Sequence, residues 1–126
     1  MDIIIMNSSD VPIYKQLKEQ IKNLIITNKL KSGDKLPSIR VLARDLKISV
    51  ITTKAAYEEL ERDGYVEIAP SKGVYVSCKN KELIREEQLQ NIENLIKTSI
   101  DIAKISNISK DDINDIIDIY WEDLNE

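Results

Sequence analysis

Two short apolar-striped segments held close across a polar turn constrain this chain more than any other feature. The first is Leu36-Pro37-Ser38-Ile39-Arg40-Val41-Leu42-Ala43; the second, Thr52-Thr53-Lys54-Ala55-Ala56-Tyr57-Glu58-Glu59-Leu60, starts nine residues after Ala43. Ser38 suits the N-cap of one helix, with Ile39, Leu42, Ala43 and Leu46 as its inner stripe. Lys47-Ile48 makes the turn, and Ser49 caps a second helix predicted from about Val50 to Asp63. Thr53, Ala56, Tyr57 and Leu60 face inward, and Gly64 ends the helix. Two helices so joined form a helix-turn-helix, the layout that offers its second helix to the DNA major groove.

The flanking segments complete a small domain. Pro12 opens a first helix whose apolar positions are Ile13, Leu17, Ile21, Leu24 and Ile25, with Lys15, Lys18, Glu19 and Lys22 on the opposite face. Asn28 ends it, and Lys31-Ser32-Gly33-Asp34 reads as a turn. Lys35-Leu36 leaves room for only a very short strand. Tyr65–Ile68 and Val74–Ser77 are strand-like, and the turn-rich Ala69-Pro70-Ser71-Lys72-Gly73 joins them into a hairpin. The predicted fold class is α+β, mainly α: a winged helix-turn-helix over residues 10–78, followed by a two-helix dimerisation hairpin over residues 79–126.

That C-terminal region has its own pattern. A long helix from about Lys81 to Ile105 carries Leu89, Ile92, Leu95, Ile96, Ile100 and Ala103 along one seam. Asn107-Ile108-Ser109 interrupts it; Ser109 caps a last helix, and Ile108 staples to Ile113. Ile113, Ile116, Ile117, Tyr120 and Leu124 follow at helical spacing, with Asp111 and Asp112 in the first turn. An αα-hairpin leaves one side of each seam in water, so the simplest partner is the same hairpin of a second copy. The expected dimerisation residues are Leu89, Ile92, Ile96, Ile100, Ile113, Ile117, Tyr120 and Trp121. Trp121 reads as an interface anchor, with a ligand lid as the alternative.

Composition narrows the chemistry. The chain has no histidine and one cysteine, Cys78. Cys/His zinc sites, histidine triads, imidazole pH switches and internal disulfides are therefore excluded. No nucleophile–base pair stands out, so no catalytic residue, metal ligand or cofactor is expected. The pairs Asp111-Asp112 and Asp115/Asp118 read as helix-surface charge. No apolar run approaches the ~20 residues of a membrane span. The first residues, Met1-Asp2-Ile3-Ile4-Ile5, lack a basic leader region, so no membrane partner and a cytoplasmic location are expected. The net charge of −4 is unevenly divided: residues 1–78 carry 12 Lys+Arg against 10 Asp+Glu, and residues 79–126 carry 6 against 12. Affinity for nucleic acid follows where the cations sit, so the total excludes nothing.

Three stretches resemble the GntR family of bacterial transcription factors: Pro12-Ile13-Tyr14-Lys15-Gln16-Leu17, Gly33-Asp34-Lys35-Leu36-Pro37-Ser38-Ile39-Arg40 and Thr53–Tyr65. The short tail resembles the YtrA-like subfamily, which lacks a large ligand domain. The resemblance implies a dimeric repressor, often encoded beside a transporter operon, bound to double-stranded operator DNA. It places Arg40 on phosphate or a base edge and Arg44 near phosphate. Ser49, Val50, Ile51 and Thr52 fall where relatives read bases, and Lys54 at a frequent DNA contact. Lys72 and Gly73 fall at the wing tip, which approaches the minor groove. The chain departs from the family pattern at Ser71-Lys72-Gly73 (for Gly-x-Gly), at Ala55 and at Asn28. The first two departures imply a stiffer wing and a narrower interface.

Val50 and Ile51 leave two readings open: apolar contact with thymine methyls, or one of the pair tucked into the core. Glu58, Glu59 and Glu61 are expected to face solvent. A second function class also stands, a winged-helix protein-interaction module without sequence-specific DNA binding. It needs no convergent cations and predicts exposed apolar residues on the same face. The sequence assigns no small-molecule effector.

Overall fold

The computed structural model describes residues 1–78 and 81–124, with the side chains of Leu83 and Leu124 excepted. Leu124, expected on the last apolar stripe, is therefore outside the described side chains. The elements, in order, are α1 (Ile13–Ile26), β1 (Lys35–Leu36), α2 (Ile39–Leu46), α3 (Val50–Arg62), β2 (Val66–Ala69), β3 (Gly73–Val76), α4 (Lys81–Ile105) and α5 (Lys110–Leu124). The chain divides into two compact units, Met1–Ile84 and Arg85–Glu126.

In the first unit a three-stranded antiparallel sheet, in the order β1-β3-β2, lies against three helices. The register pairs Val66 with Val76, Ile68 with Val74, and Leu36 with Val74. Alternation in the strands sends Val74 and Val76 into the core. There they join Leu17 and Ile21 of α1, Leu36, Leu42 of α2, and Ala56, Tyr57 and Leu60 of α3. The four α3 positions expected to face inward are the four that are buried.

Helix ends in this unit share one chemistry. At Asn28, Lys47 and Gly64 the backbone turns left-handed, with φ of 62°, 57° and 87°. The next N–H then reaches back to a carbonyl five residues earlier: Lys29 to Leu24, Ile48 to Ala43, and Tyr65 to Leu60. This is the Schellman closure, which satisfies carbonyls the helix leaves orphaned. Lys47 is a poor residue for it, because its Cβ crowds the following carbonyl. Lys47→Gly is expected to stabilise the first unit by about 0.5–1 kcal/mol, read as a higher denaturation midpoint at unchanged slope.

The structure corrects the expected polar face of α1. Lys22 is only 8% exposed, and its ammonium lies 5.4 Å from the centroid of the Tyr65 ring. Lys18 is half-buried and bridges Glu59 at 3.1 Å and Asp63 at 2.9 Å on the neighbouring α3. Glu61 is likewise engaged, accepting the Ile68 N–H at 2.9 Å. So Glu59 is not simply a solvent-facing charge, while Glu58 and Glu61 are exposed as expected. Long lysine stems cover apolar surface while their ends find partners, and a polar/apolar pattern does not register this.

Sequence reading also missed the first eleven residues. Ile3 and Ile5 pack on the core, and two glutamines one turn apart on α1 hold the backbone between them. Gln20 accepts the Ile4 N–H at 2.9 Å and donates to the Ile4 carbonyl at 2.6 Å. Gln16 accepts the Met6 N–H at 2.8 Å and donates to the carbonyls of Met6 and Val11 at 3.0 and 2.8 Å. Each amide thus stands in for a neighbouring strand.

Two groups, the half-buried Lys18 and the buried Tyr57, lower stability at alkaline pH. Burial opposes the charged form of Lys18, but Asp63 and Glu59 more than offset it, so its pKa lies above 10.5. Burial pushes the Tyr57 phenol above its usual 10, and its hydroxyl donates to the Pro37 carbonyl at 2.7 Å. Both groups fold in their protonated forms. The stability they contribute is complete below pH about 10 and falls as pH rises through their folded values. With no histidine to titrate near neutrality, the melting temperature should hold from about pH 7 to 9 and drop above about pH 10. Tyr57→Phe should soften that drop.

In the second unit Ser109 caps α5. Its Oγ accepts the Asp112 N–H at 3.2 Å, and Asp112 returns the bond to the Ser109 N–H at 3.3 Å. Ile108 and Ile113, the expected staple, line one apolar groove of about 310 Å³ with Ile96, Ile100 and Ile117. In this unit only Ala103 is a fully buried apolar side chain among the described residues, at 5% exposure.

Candidate nucleic-acid interface

The first turn of α3 is built to leave two side chains outside. Ser49 Oγ accepts the Thr52 N–H at 3.0 Å and donates to Thr52 Oγ1 at 2.7 Å. Thr53 Oγ1 donates to the Ser49 carbonyl at 3.0 Å. The small polar groups of this turn are thus spent on capping. Val50 and Ile51 remain, 49% and 81% exposed, so neither tucks into the core. The two β-branched side chains, adjacent in sequence, thus leave apolar surface in solvent at the helix start.

Position of this turn follows from what lies beneath it. Tyr57 is fully buried one helical repeat further on, and its bond to the Pro37 carbonyl ties α3 to the start of α2. Ser38 Oγ accepts the Val41 N–H at 3.2 Å, which fixes where α2 begins and so where Arg40 projects.

The cations of this unit fall in two places. Arg40 and Lys72 line one groove of about 490 Å³ between the start of α2 and the β2–β3 hairpin, together with Gly73, Ser38 and Ser71. Neither makes an ion pair among the described residues. Lys54 stands 3.7 Å from Glu58, and Arg44 3.7 Å from Asp45, in pairs open to solvent. Exposed pairs at that distance hold weakly and can yield to a stronger anion. Of the expected DNA contacts, then, Arg40, Lys72 and Gly73 share the groove, while Ser49, Val50, Ile51, Thr52 and Lys54 share the start of α3. Arg44 lies in the last turn of α2 and lines neither.

One cation escaped sequence reading. Lys35 lines the same groove and lies 6.0 Å from the centroid of the Tyr75 ring. The signal was present: Leu36 points inward, so in a strand its neighbour Lys35 must point out.

The hairpin tip differs from expectation in length. The strands run to Ala69 and from Gly73, so three residues connect them where five were predicted. Pro70 occupies the second position of a turn closed by the Lys72 N–H on the Ala69 carbonyl at 3.0 Å. Ser71 follows with φ of 66°, the left-handed geometry such a turn requires at its third position. Tyr75 OH donates to the Lys72 carbonyl at 3.0 Å and braces the tip.

A winged helix whose second helix-turn-helix helix leaves its first turn exposed is a regulator's architecture, and comparison with known proteins places it. The family described as "Bacterial regulatory proteins, gntR family" matches residues 13–76, half of the chain. The chain belongs to the GntR family. Its similarity extends beyond the winged helix: the HTH-type transcriptional repressor YtrA of Bacillus subtilis is 34% identical over 109 residues, covering 86% of this chain and 84% of YtrA. Among solved structures, a transcriptional regulator from Oenococcus oeni superposes with a TM-score of 0.75 at 27% identity, covering 93% of this chain and 97% of that one. YtrA from Sulfolobus acidocaldarius, a GntR-family transcription factor, superposes with a TM-score of 0.60 at 35% identity, covering 98% and 100%. This GntR-family chain is a transcriptional regulator and not an enzyme. No helix among its described residues is long and apolar enough to cross a membrane.

Proposed function

We propose that this GntR-family chain is a sequence-specific DNA-binding repressor, acting in the cytoplasm as a homodimer on the operator of a transporter-type operon. The observation that carries the reading is the set of exposed cations of the winged helix: Lys54 one turn from the exposed start of α3, and Arg40 and Lys72 in the groove between α2 and the hairpin. Arg40 has the planar fork that suits phosphate or guanine, while Lys54 and Arg44 act as charges toward phosphate. Ser49, Val50, Ile51 and Thr52 lie against base edges in the major groove. Lys72 and Gly73 take the minor-groove side. The YtrA name, a transcriptional repressor, supports the direction of regulation.

Division of labour follows the chain: residues 10–78 bind DNA and residues 79–126 join two copies. Leu89, Ile92, Ile96, Ile100, Ile117, Tyr120 and Trp121 are all exposed in one chain, and Ile113 is half-exposed. A second copy of the same hairpin covers such a face at once, and two-fold symmetry then presents two recognition helices to successive major grooves.

A second reading draws on Val50 and Ile51, whose exposure also suits a protein-docking surface. Fluorescence anisotropy separates the two. Purified protein is titrated into a duplex from upstream of its own operon and into an unrelated duplex, across a salt series. Three phosphate-facing cations per subunit give an expected log–log salt slope of about −5 for the dimer. Arg40→Ala should flatten it by about 2. Weak binding that is equal for both duplexes and unchanged in Arg40→Ala or Lys54→Ala would favour protein docking instead.

A further inference from the structure

The first turn of α3 has Lys54 one turn along but little hydrogen-bonding reach of its own. A half-site is usually read by side chains that place donors and acceptors against base edges. Here the Ser49 hydroxyl is used twice within the cap, and Thr53 Oγ1 is bonded to the Ser49 carbonyl. What projects furthest is hydrocarbon, with Ile51 81% exposed and Val50 beside it at 49%. In the major groove one base alone presents a hydrocarbon group, thymine with its C5-methyl.

We infer that this chain recognises its operator through thymine methyl groups, which Val50 and Ile51 cover in the major groove of each half-site. The inference rests on the proposed DNA-binding function and adds the chemical class of site. Charge complementarity argues for DNA as the occupant of this apolar face: Lys54 stands one turn along α3, and Lys35, Arg40 and Lys72 of the same winged-helix unit line a groove between the start of α2 and the hairpin. The sugar–phosphate backbone meets the cations and holds the duplex in register, while the methyls meet the two β-branched side chains. Operators for this chain therefore carry a thymine step under each recognition helix.

The test removes single methyls and nothing else. A high-affinity duplex is first enriched from a random-sequence pool with the full chain. Each thymine is then replaced in turn by deoxyuridine, which keeps every hydrogen-bonding group and loses only the methyl. Affinity is expected to fall about four-fold at one or two thymines per half-site, the equivalent of about 0.8 kcal/mol for one methyl-sized group. In Ile51→Ala or Val50→Ala the same replacement should have no effect, while Lys54→Ala should bind both duplexes more weakly and keep the four-fold ratio. Both apolar residues are exposed, so these variants fold. Equal wild-type affinity for thymine and deoxyuridine duplexes overturns the inference and leaves DNA binding intact. So does a deoxyuridine effect that persists in both alanine variants. A pool that yields no preferred sequence overturns this inference together with the function on which it rests.

Discussion

Ile117→Asp is expected to sediment as a monomer and to lose at least about 100-fold in operator affinity. Ile117 lines the apolar groove between α4 and α5, and it is exposed in the single chain. In a two-fold interface the substitution appears twice, and each buried carboxylate without a partner costs several kcal/mol. In the lone chain the same aspartate stays hydrated, so the helices themselves should persist by circular dichroism. Loss of the dimer removes the second half-site, and linking two sites contributes 10²–10⁴ in avidity by order of magnitude. Analytical ultracentrifugation beside anisotropy reads both effects on one sample. A variant that stays dimeric would show that the interface lies elsewhere.

Leu60→Ala should strongly destabilise the winged helix. Leu60 is fully buried, and its carbonyl receives the Tyr65 N–H that closes α3. Removing a buried leucine side chain costs about 2–5 kcal/mol, because the lost transfer energy adds to the cavity left behind. A unit of this size has roughly 4–12 kcal/mol in all. Each kcal/mol moves the melting point by about 4–8 °C, so a drop of more than about 10 °C is expected by calorimetry. Ile51→Ala, at the other end of the same helix, should leave the melting point where it was. The pair separates what holds α3 in place from what α3 shows to a partner.

Regular periodicity made most of this fold legible. The buried stripe of α3, the two serine caps of the helix-turn-helix and the long α4 follow from spacing and cap chemistry alone. What escaped depends on contacts distant in sequence. Lys18 and Lys22 read as surface charges because their partners, Glu59, Asp63 and the Tyr65 ring, come from segments some forty residues away. The residues before α1 carried no readable pattern, since side chains rather than a strand hold them. At the candidate site the expected contacts Arg40, Lys54 and Lys72 came from the family resemblance, while Lys35 needed the groove to be seen. The choice at Val50 and Ile51 needed their exposure in the fold, which spacing alone leaves open.

The glutamine clasp on the first residues has a consequence for how this surface can change over time. Gln16 and Gln20 grip peptide groups, which every amino acid except proline supplies in full. Ile3 and Ile5 are tied to the core, while Ile4 and Met6 point into water. Positions 4 and 6 are thus free to drift through almost any side chain on an unchanged backbone trace. Among descendants of this gene, the start of the chain is where surface identity can diverge at little expense to the fold beneath.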